Sequence, residues 1–151
     1  MDLRNYGFVK VGRWKLNENI KSGIDFELMD FKEERVIYAF VVDGETKYIG
    51  ICESSKTTLE GRMKKFRNLQ GGGTNERIAN EIKKCLEDGK TVEIFALKPE
   101  LVVQYKELEL TIQHNDVELV IKNKGLEVDL VRGLEYPLIE KLNPEWNIMK
   151  N

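Results

Sequence analysis

The chain has 151 residues, of which 41% are hydrophobic and 33% charged, and its 24 basic and 26 acidic side chains leave a net charge of -2. Six Phe, five Tyr and two Trp supply bulk for a core, so disordered and fibrous classes are excluded, and the length suits one domain of about 100 to 200 residues. No apolar run reaches the roughly 18 residues that a membrane span needs. The start Met1-Asp2-Leu3-Arg4-Asn5-Tyr6 lacks the apolar stretch of a signal peptide, so the expectation is a cytoplasmic protein with no membrane partner. Cys52 and Cys85 lie far apart and His114 is the only histidine, which argues against a zinc site and leaves oxygen ligands for any metal.

In chain order, Phe8 to Leu16 reads as a strand. Val36 to Val42 is a β-branched and aromatic run that suits burial on both faces. Asp43-Gly44 and the run Thr46 to Ile51 complete a β-hairpin with it. Leu59, Arg62, Met63 and Phe66 fall at helical spacing, which predicts a helix capped by Thr57 or Thr58 and running to about Leu69. Gly71-Gly72-Gly73 is a loop, after which Thr74 caps a second helix with the stripe Ile78, Ile82, Cys85 and Leu86, ending near Gly89. Thr91 to Leu97 is a third strand.

Leu108, Leu110 and Ile112, then Val117, Leu119 and Ile121, alternate with polar residues across His114-Asn115-Asp116 and read as an added hairpin. Leu126, Val128 and Leu130 suggest a further short strand. Leu134, Leu138, Ile139 and Leu142 mark a last helix, in which Pro137 is tolerable only in the first turn, and Asn143-Pro144 stops it. The class is α+β: a small sheet, made of a hairpin plus a third strand, flanked by helices. The expected organisation is a single domain over 1–151, with an N-terminal extension (1–34) and a core (35–148) that carries a hairpin insertion (105–125).

The charge is uneven along the chain. Residues 56–84 hold eight basic and three acidic groups, whereas residues 85–151 hold eight and thirteen. A solvated helix face and a nucleic-acid surface both fit such a cluster. Gly50 to Thr57 follows a strand and precedes a helix, as in a phosphate-binding P-loop, but Ser55 stands where that pattern needs its second glycine.

A sharper signal is a combination in order. Ile37-Tyr38 lies on one strand and Tyr48-Ile49-Gly50 on the next. Arg62 follows in Leu59-Glu60-Gly61-Arg62, and Glu135 in Leu134-Glu135-Tyr136-Pro137-Leu138-Ile139. Asn147 closes Asn143-Pro144-Glu145-Trp146-Asn147. From Val36 to Asn147 this resembles the GIY-YIG nuclease family, Val36 replacing the first glycine of the family name. Within the family, Val36-Ile37-Tyr38-Ala39, Ile82 to Ala96 and Leu134 to Ile148 are most similar to a small phage endonuclease. The Gly-rich loop and Thr74-Asn75-Glu76-Arg77 are similar to stand-alone restriction enzymes.

The resemblance implies a divalent-metal-dependent DNA endonuclease of restriction or phage type, acting on double-stranded DNA. It assigns Glu135 to one metal ion, Mg²⁺ or another divalent cation such as Mn²⁺. It assigns Arg62 to the scissile phosphate, Tyr48 to catalysis and Tyr38 to its support. Asn147 would fix the loop around the site, and Lys56, Lys64, Lys65, Arg67, Asn75, Arg77 and Lys83 would form the DNA-binding surface. Read as residues alone, two strand tyrosines fit a core equally well, and a phenol with a pKa near 10 is a poor base without a cation nearby. A catalytically silent DNA-binding module is the alternative function. The family resemblance also allows a homo-oligomer, for which the strands from Leu108 to Ile121 would serve as well as for core packing. Two positions depart from the family pattern: Ile51 stands where lysine is common, and Phe66 where His or Tyr is. Lys56, in a loop longer than that of the shortest relatives, is the expected substitute cation.

Overall fold

The computed structural model describes residues 2–99, 101–104, 109–112, 120–123 and 126–148. A five-stranded antiparallel sheet is built from β1 (Val9–Leu16), β2 (Ile24–Leu28), β3 (Ile37–Val42), β4 (Glu45–Ile51) and β5 (Val92–Leu97), in the order β2-β1-β5-β3-β4. Helices α1 (Leu59–Arg67) and α2 (Gly73–Glu87) cover one face, and α3 (Leu130–Leu142) covers the other. β3 lies between β4 and β5 with every residue buried, as its unbroken apolar run requires. Tyr38, Phe40 and Val42 point towards α1 and α2, while Ile37, Ala39 and Val41 point towards α3.

The β3–β4 hairpin turns on Asp43 (φ 46°) and Gly44 (φ 84°), the paired positive-φ conformation that a tight two-residue turn demands. Its register shifts between Phe40 and Val41, where Phe40 opposes Tyr48 but Val41 opposes Thr46, so Lys47 is the extra residue of a bulge. β4 is an edge strand, and the C-terminal segment covers it. The Trp146 N–H donates to the Lys47 carbonyl at 2.7 Å, and Lys47 also pairs with the Glu145 carboxylate.

Several expectations are revised. β2 is a strand that the sequence reading missed, and with β1 it adds the N-terminal segment to the main sheet. Thr58 caps α1, its hydroxyl accepting from the Gly61 N–H at 3.1 Å. The cap of α2, however, is Gly72 (φ 105°), not Thr74, because the glycine-rich loop supplies the left-handed residue and the helix starts at once. α3 starts at Leu130, earlier than expected, and Asp129 caps it by accepting from the Val131 and Arg132 N–H groups at 3.1 and 3.4 Å. Pro137 therefore sits inside the helix, where it removes the bond to the Gly133 carbonyl. Leu126 to Leu130 is split accordingly, Leu126–Asp129 being strand and Leu130 helix.

Among the described residues, Glu109–Ile112 pairs with Leu101–Gln104, and Val120–Asn123 pairs with Leu126–Asp129. The turn of the expected hairpin of Leu108–Ile112 with Val117–Ile121, and residues 117–119 of its second strand, lie outside the described residues. Alternation marks a strand without naming its partner. His114 lies outside the described residues.

Candidate active site

Four of the five motif residues come from four elements: Tyr38 from β3, Tyr48 from β4, Arg62 from α1 and Glu135 from α3. Tyr38 is fully buried, and Tyr48 is 8% exposed. Their rings lie 6.2 Å apart in an aromatic cluster with Phe40, Phe66 and Trp14. Gly50 is opposite Tyr38 in the β3–β4 register, and a Cβ there would come within 2.4 Å of the Tyr38 hydroxyl. The glycine of the second motif thus makes room for the tyrosine of the first.

Phe66 is the hub of this cluster. It is fully buried, contacts both tyrosine rings edge-on at 6.2 and 6.1 Å, and carries the Arg62 guanidinium over its face at 4.6 Å. One helical turn separates Phe66 from Arg62, so α1 brings the cation and its platform to the same face. Arg62 Nη2 donates to Asn75 Oδ1 at 3.1 Å, and Asn75 Nδ2 donates to the Gln70 carbonyl at 2.6 Å. Asn75, expected on the DNA surface, is 3% exposed, and both ends of its amide are engaged. It orients Arg62. Glu60, two residues before Arg62, pairs with Lys64 at 3.2 Å.

Burial pushes the Tyr38 phenol well above its ordinary pKa, and Tyr48 adds to the effect while Arg62 opposes it. The Tyr48 phenol is also raised by burial, against the opposing fields of Arg62 and Arg77. Neither is a base in this environment without further positive charge. The Tyr38 hydroxyl makes no hydrogen bond of ordinary geometry among the described residues.

The Glu135 carboxyl is half-buried and forms no hydrogen bond or ion pair among the described residues. Burial raises its pKa and the negative charge of Glu53 raises it further, while Arg132 and Arg62 act the other way. The sequence reading did not single out Glu53. Its nearness to Glu135 depends on a contact between β4 and α3 that no local pattern records. Glu53 lines a cavity of about 320 Å³ with Ser54, Thr57, Arg62, Lys65, Gly71 and Asn75. A larger cavity, about 680 Å³, lies at the β1–β2 turn beside Lys83 and contains none of the motif residues.

Asn147 grips the edge strand, accepting from the Ile49 N–H and donating to the Ile49 carbonyl, both at 2.8 Å. Arg77 donates to the Trp146 carbonyl at 3.0 Å, so α2 holds the same segment. Arg67 is tied to Asp25 at 3.4 Å and lies over the Phe26 ring, which turns it towards β2. Lys56 stands in an exposed turn, and the cations acting most strongly on the tyrosines and Glu135 are Arg62, Arg77 and Arg132. Lys65, exposed beside Arg62 in the cavity, is nearer to the role expected of Lys56.

Asp129 gives a stability prediction. Its carboxyl is held below the ordinary value, first by hydrogen bonds from Arg35. A carboxylate depressed on folding adds stability that is complete above its unfolded pKa, about 3.9, and is lost as pH falls through the folded value. Asp129→Asn keeps a capping residue but cannot titrate. Urea unfolding of this variant should therefore depend less steeply on pH below about pH 4 than that of the parent. Parallel profiles would mean that the Arg35 contact contributes nothing to acid stability.

No protein-family profile matches the chain, and no curated protein matches it. Among solved structures, a glutamate-to-alanine mutant of bacteriophage T4 EndoII superposes with a TM-score of 0.65 at 21% identity, over 97% of this chain and 96% of that one. The restriction endonuclease HPY188I in complex with product DNA superposes with a TM-score of 0.52 at 16% identity, over 95% and 82%. At these identities the likeness establishes architecture, and the chain has the α+β fold of the GIY-YIG nuclease T4 EndoII.

Proposed function

We propose that the protein is a divalent-metal-dependent endonuclease that hydrolyses phosphodiester bonds in double-stranded DNA, degrading DNA in the manner of restriction or phage enzymes. The observation that carries this reading is the convergence of Arg62 and Glu135 on the two buried tyrosines, with Arg62 also lining a polar cavity beside Glu53 and Lys65. The likeness to two nucleases, one of them solved with product DNA, supports the same class of reaction.

The residues fit a divalent cation. Glu135 offers a carboxylate with no ion pair among the described residues, half-buried and close enough to Glu53 for the two charges to repel, while the nearby arginines hydrogen-bond to Asn75 and to the Glu53 carbonyl. No group of three or more metal-binding side chains is present among the described residues. Such a sparse oxygen site suits Mg²⁺ or Mn²⁺, which keep waters and take phosphate oxygens from the substrate. When bound, the cation supplies Lewis acidity to the scissile phosphate and makes a water easier to deprotonate.

The chain's own groups do the rest. Arg62, held by Asn75 and supported on Phe66, presents its remaining N–H donors to the phosphoryl oxygens, where negative charge grows in the transition state. The Tyr48 hydroxyl orients the attacking water; to accept its proton at Oη it must first have lost its own to solvent, as a phenolate held against burial by Arg62, Arg77 and the charge that a bound cation would supply. Tyr38 fixes the Tyr48 ring and keeps bulk water from the cluster. Asn147 keeps the β4 backbone in register beside Tyr48.

The decisive experiment is incubation with supercoiled plasmid, with Mg²⁺ and with a chelator. Nicked or linear product only with the metal supports the reading, while tight binding without any cut in either would replace it with a silent DNA-binding module. The salt dependence of binding locates the DNA surface, because each neutralised phosphate adds roughly 0.9 to the slope of log K against log salt. Lys56, Lys64 and Lys65 are exposed on or before α1, whereas Arg67 and Arg77 are tied to protein partners. Replacing those three lysines by alanine should flatten the slope by about 2 to 3. It should change stability little, since exposed pairs contribute about 0 to 1 kcal/mol. An unchanged slope would move the DNA to another face.

A further inference from the structure

Arg35 precedes the first motif strand and belongs to no part of the family pattern, yet its guanidinium is a buried charge, with a side chain only 6% exposed. Nε donates to the Cys52 carbonyl at 2.9 Å, and Nη2 to the Glu53 carbonyl at 2.9 Å. Nη1 and Nη2 together grip the Asp129 carboxylate at 2.9 and 2.8 Å. Asp129 is the N-cap of α3, which carries Glu135 less than two turns later. Cys52 and Glu53 follow directly on β4, the strand of Tyr48. Arg132, on the first turn of α3, donates from Nε to the same Glu53 carbonyl at 3.2 Å, closing the knot from the other side.

We propose that Arg35 is a positioning residue, which fixes the Glu135-bearing helix against the Tyr48-bearing strand by binding the two loop carbonyls and the helix cap at once. The proposal rests on the endonuclease reading, in which these two segments must present their groups to one phosphate. The planar fork matters as much as the charge. Four directed bonds to three acceptor residues hold both the distance and the angle between α3 and β4, and an ammonium group cannot satisfy all of them together. Lateral slippage of about 1 Å at a reacting centre costs on the order of 100-fold in rate.

The test compares Arg35→Lys, Asp129→Asn and the double variant, at a temperature where each is folded by circular dichroism. Asp129→Asn keeps an N-capping side chain while weakening the fork, so it remains informative if Arg35→Lys does not fold. Each single variant should lower the single-turnover cleavage rate at saturating DNA and Mg²⁺ by about 10- to 100-fold, with DNA affinity in the presence of a chelator within about twofold of the parent. The double variant should be no worse than the poorer single one, because both remove the same restraint. Hydrogen exchange, which needs no activity, should show the amides of residues 52–54 and 131–132 losing protection together while β3 and β5 keep theirs. A cleavage rate like the parent's in folded variants, additive losses in the double, or uniform loss of protection would each overturn the proposal. If the parent itself leaves DNA uncut, the endonuclease reading fails, and the exchange pattern alone decides whether Arg35 joins the two segments.

Discussion

Glu135→Gln is expected to reduce Mg²⁺-dependent cleavage by at least about 1000-fold, equivalent to roughly 4 kcal/mol of transition-state stabilisation, while the protein stays folded and binds DNA as well as before or better. The substitution keeps the size of the side chain and removes one anionic oxygen donor. That oxygen makes no hydrogen bond or ion pair among the described residues, so its removal breaks no contact described there. Its loss also removes a negative charge from a surface meant to face phosphates. Unfolding of the variant would mean instead that Glu135 is structural.

The same residue sets a pH dependence. Burial and the charge of Glu53 raise the Glu135 pKa, so the carboxylate form is lost at a higher pH than for an ordinary glutamate. Cleavage at limiting Mg²⁺ should therefore fall on acidification through that raised value. Glu53→Gln removes the repelling charge and should shift the acid limb to lower pH. A limb that does not move would show that burial alone sets the titration.

The elements that local pattern determines were legible in the sequence. The β3–β4 hairpin follows from an apolar run, Asp43-Gly44 and a second run. Helix α1 follows from the spacing of Leu59, Met63 and Phe66 behind Thr58. What escaped depends on contacts distant in sequence. β2 is a short strand with partly exposed positions, and it becomes a strand by pairing with β1. The start of α3 depends on Asp129 meeting Arg35, 94 residues earlier, a partnership that no window of sequence contains.

The site shows the same division. The motif residues could be named one by one, but Asn75 looked like a surface residue because it lies in the basic segment 56–84. In the fold it turns inward to hold Arg62. Phe66 looked like the loss of a polar family residue. Between Arg62 and the two tyrosines, its ring is the surface on which all three are arranged.

That arrangement makes Arg62→Lys the second large effect. Lysine keeps the charge but loses the bond to Asn75, the stacking over Phe66 and the planar pair of donors that matches two phosphoryl oxygens. The expected result is a fall of about 100- to 1000-fold in the saturated cleavage rate, or roughly 2.7 to 4 kcal/mol, the usual cost of removing one preorganised donor from a developing oxyanion. DNA affinity should change little, because a single charge among many phosphate contacts is retained. Asn75→Ala separates orientation from charge. It leaves Arg62 in place but unrestrained and removes the bond to the Gln70 carbonyl, so it should cost about 0.5 to 1.5 kcal/mol of stability together with a smaller fall in rate than Arg62→Lys. If Arg62→Lys cuts saturating DNA as fast as the parent, the guanidinium does not meet the phosphate. Its place over Phe66 would then be packing, and the transition-state charge would have to be met by the bound cation and Lys65.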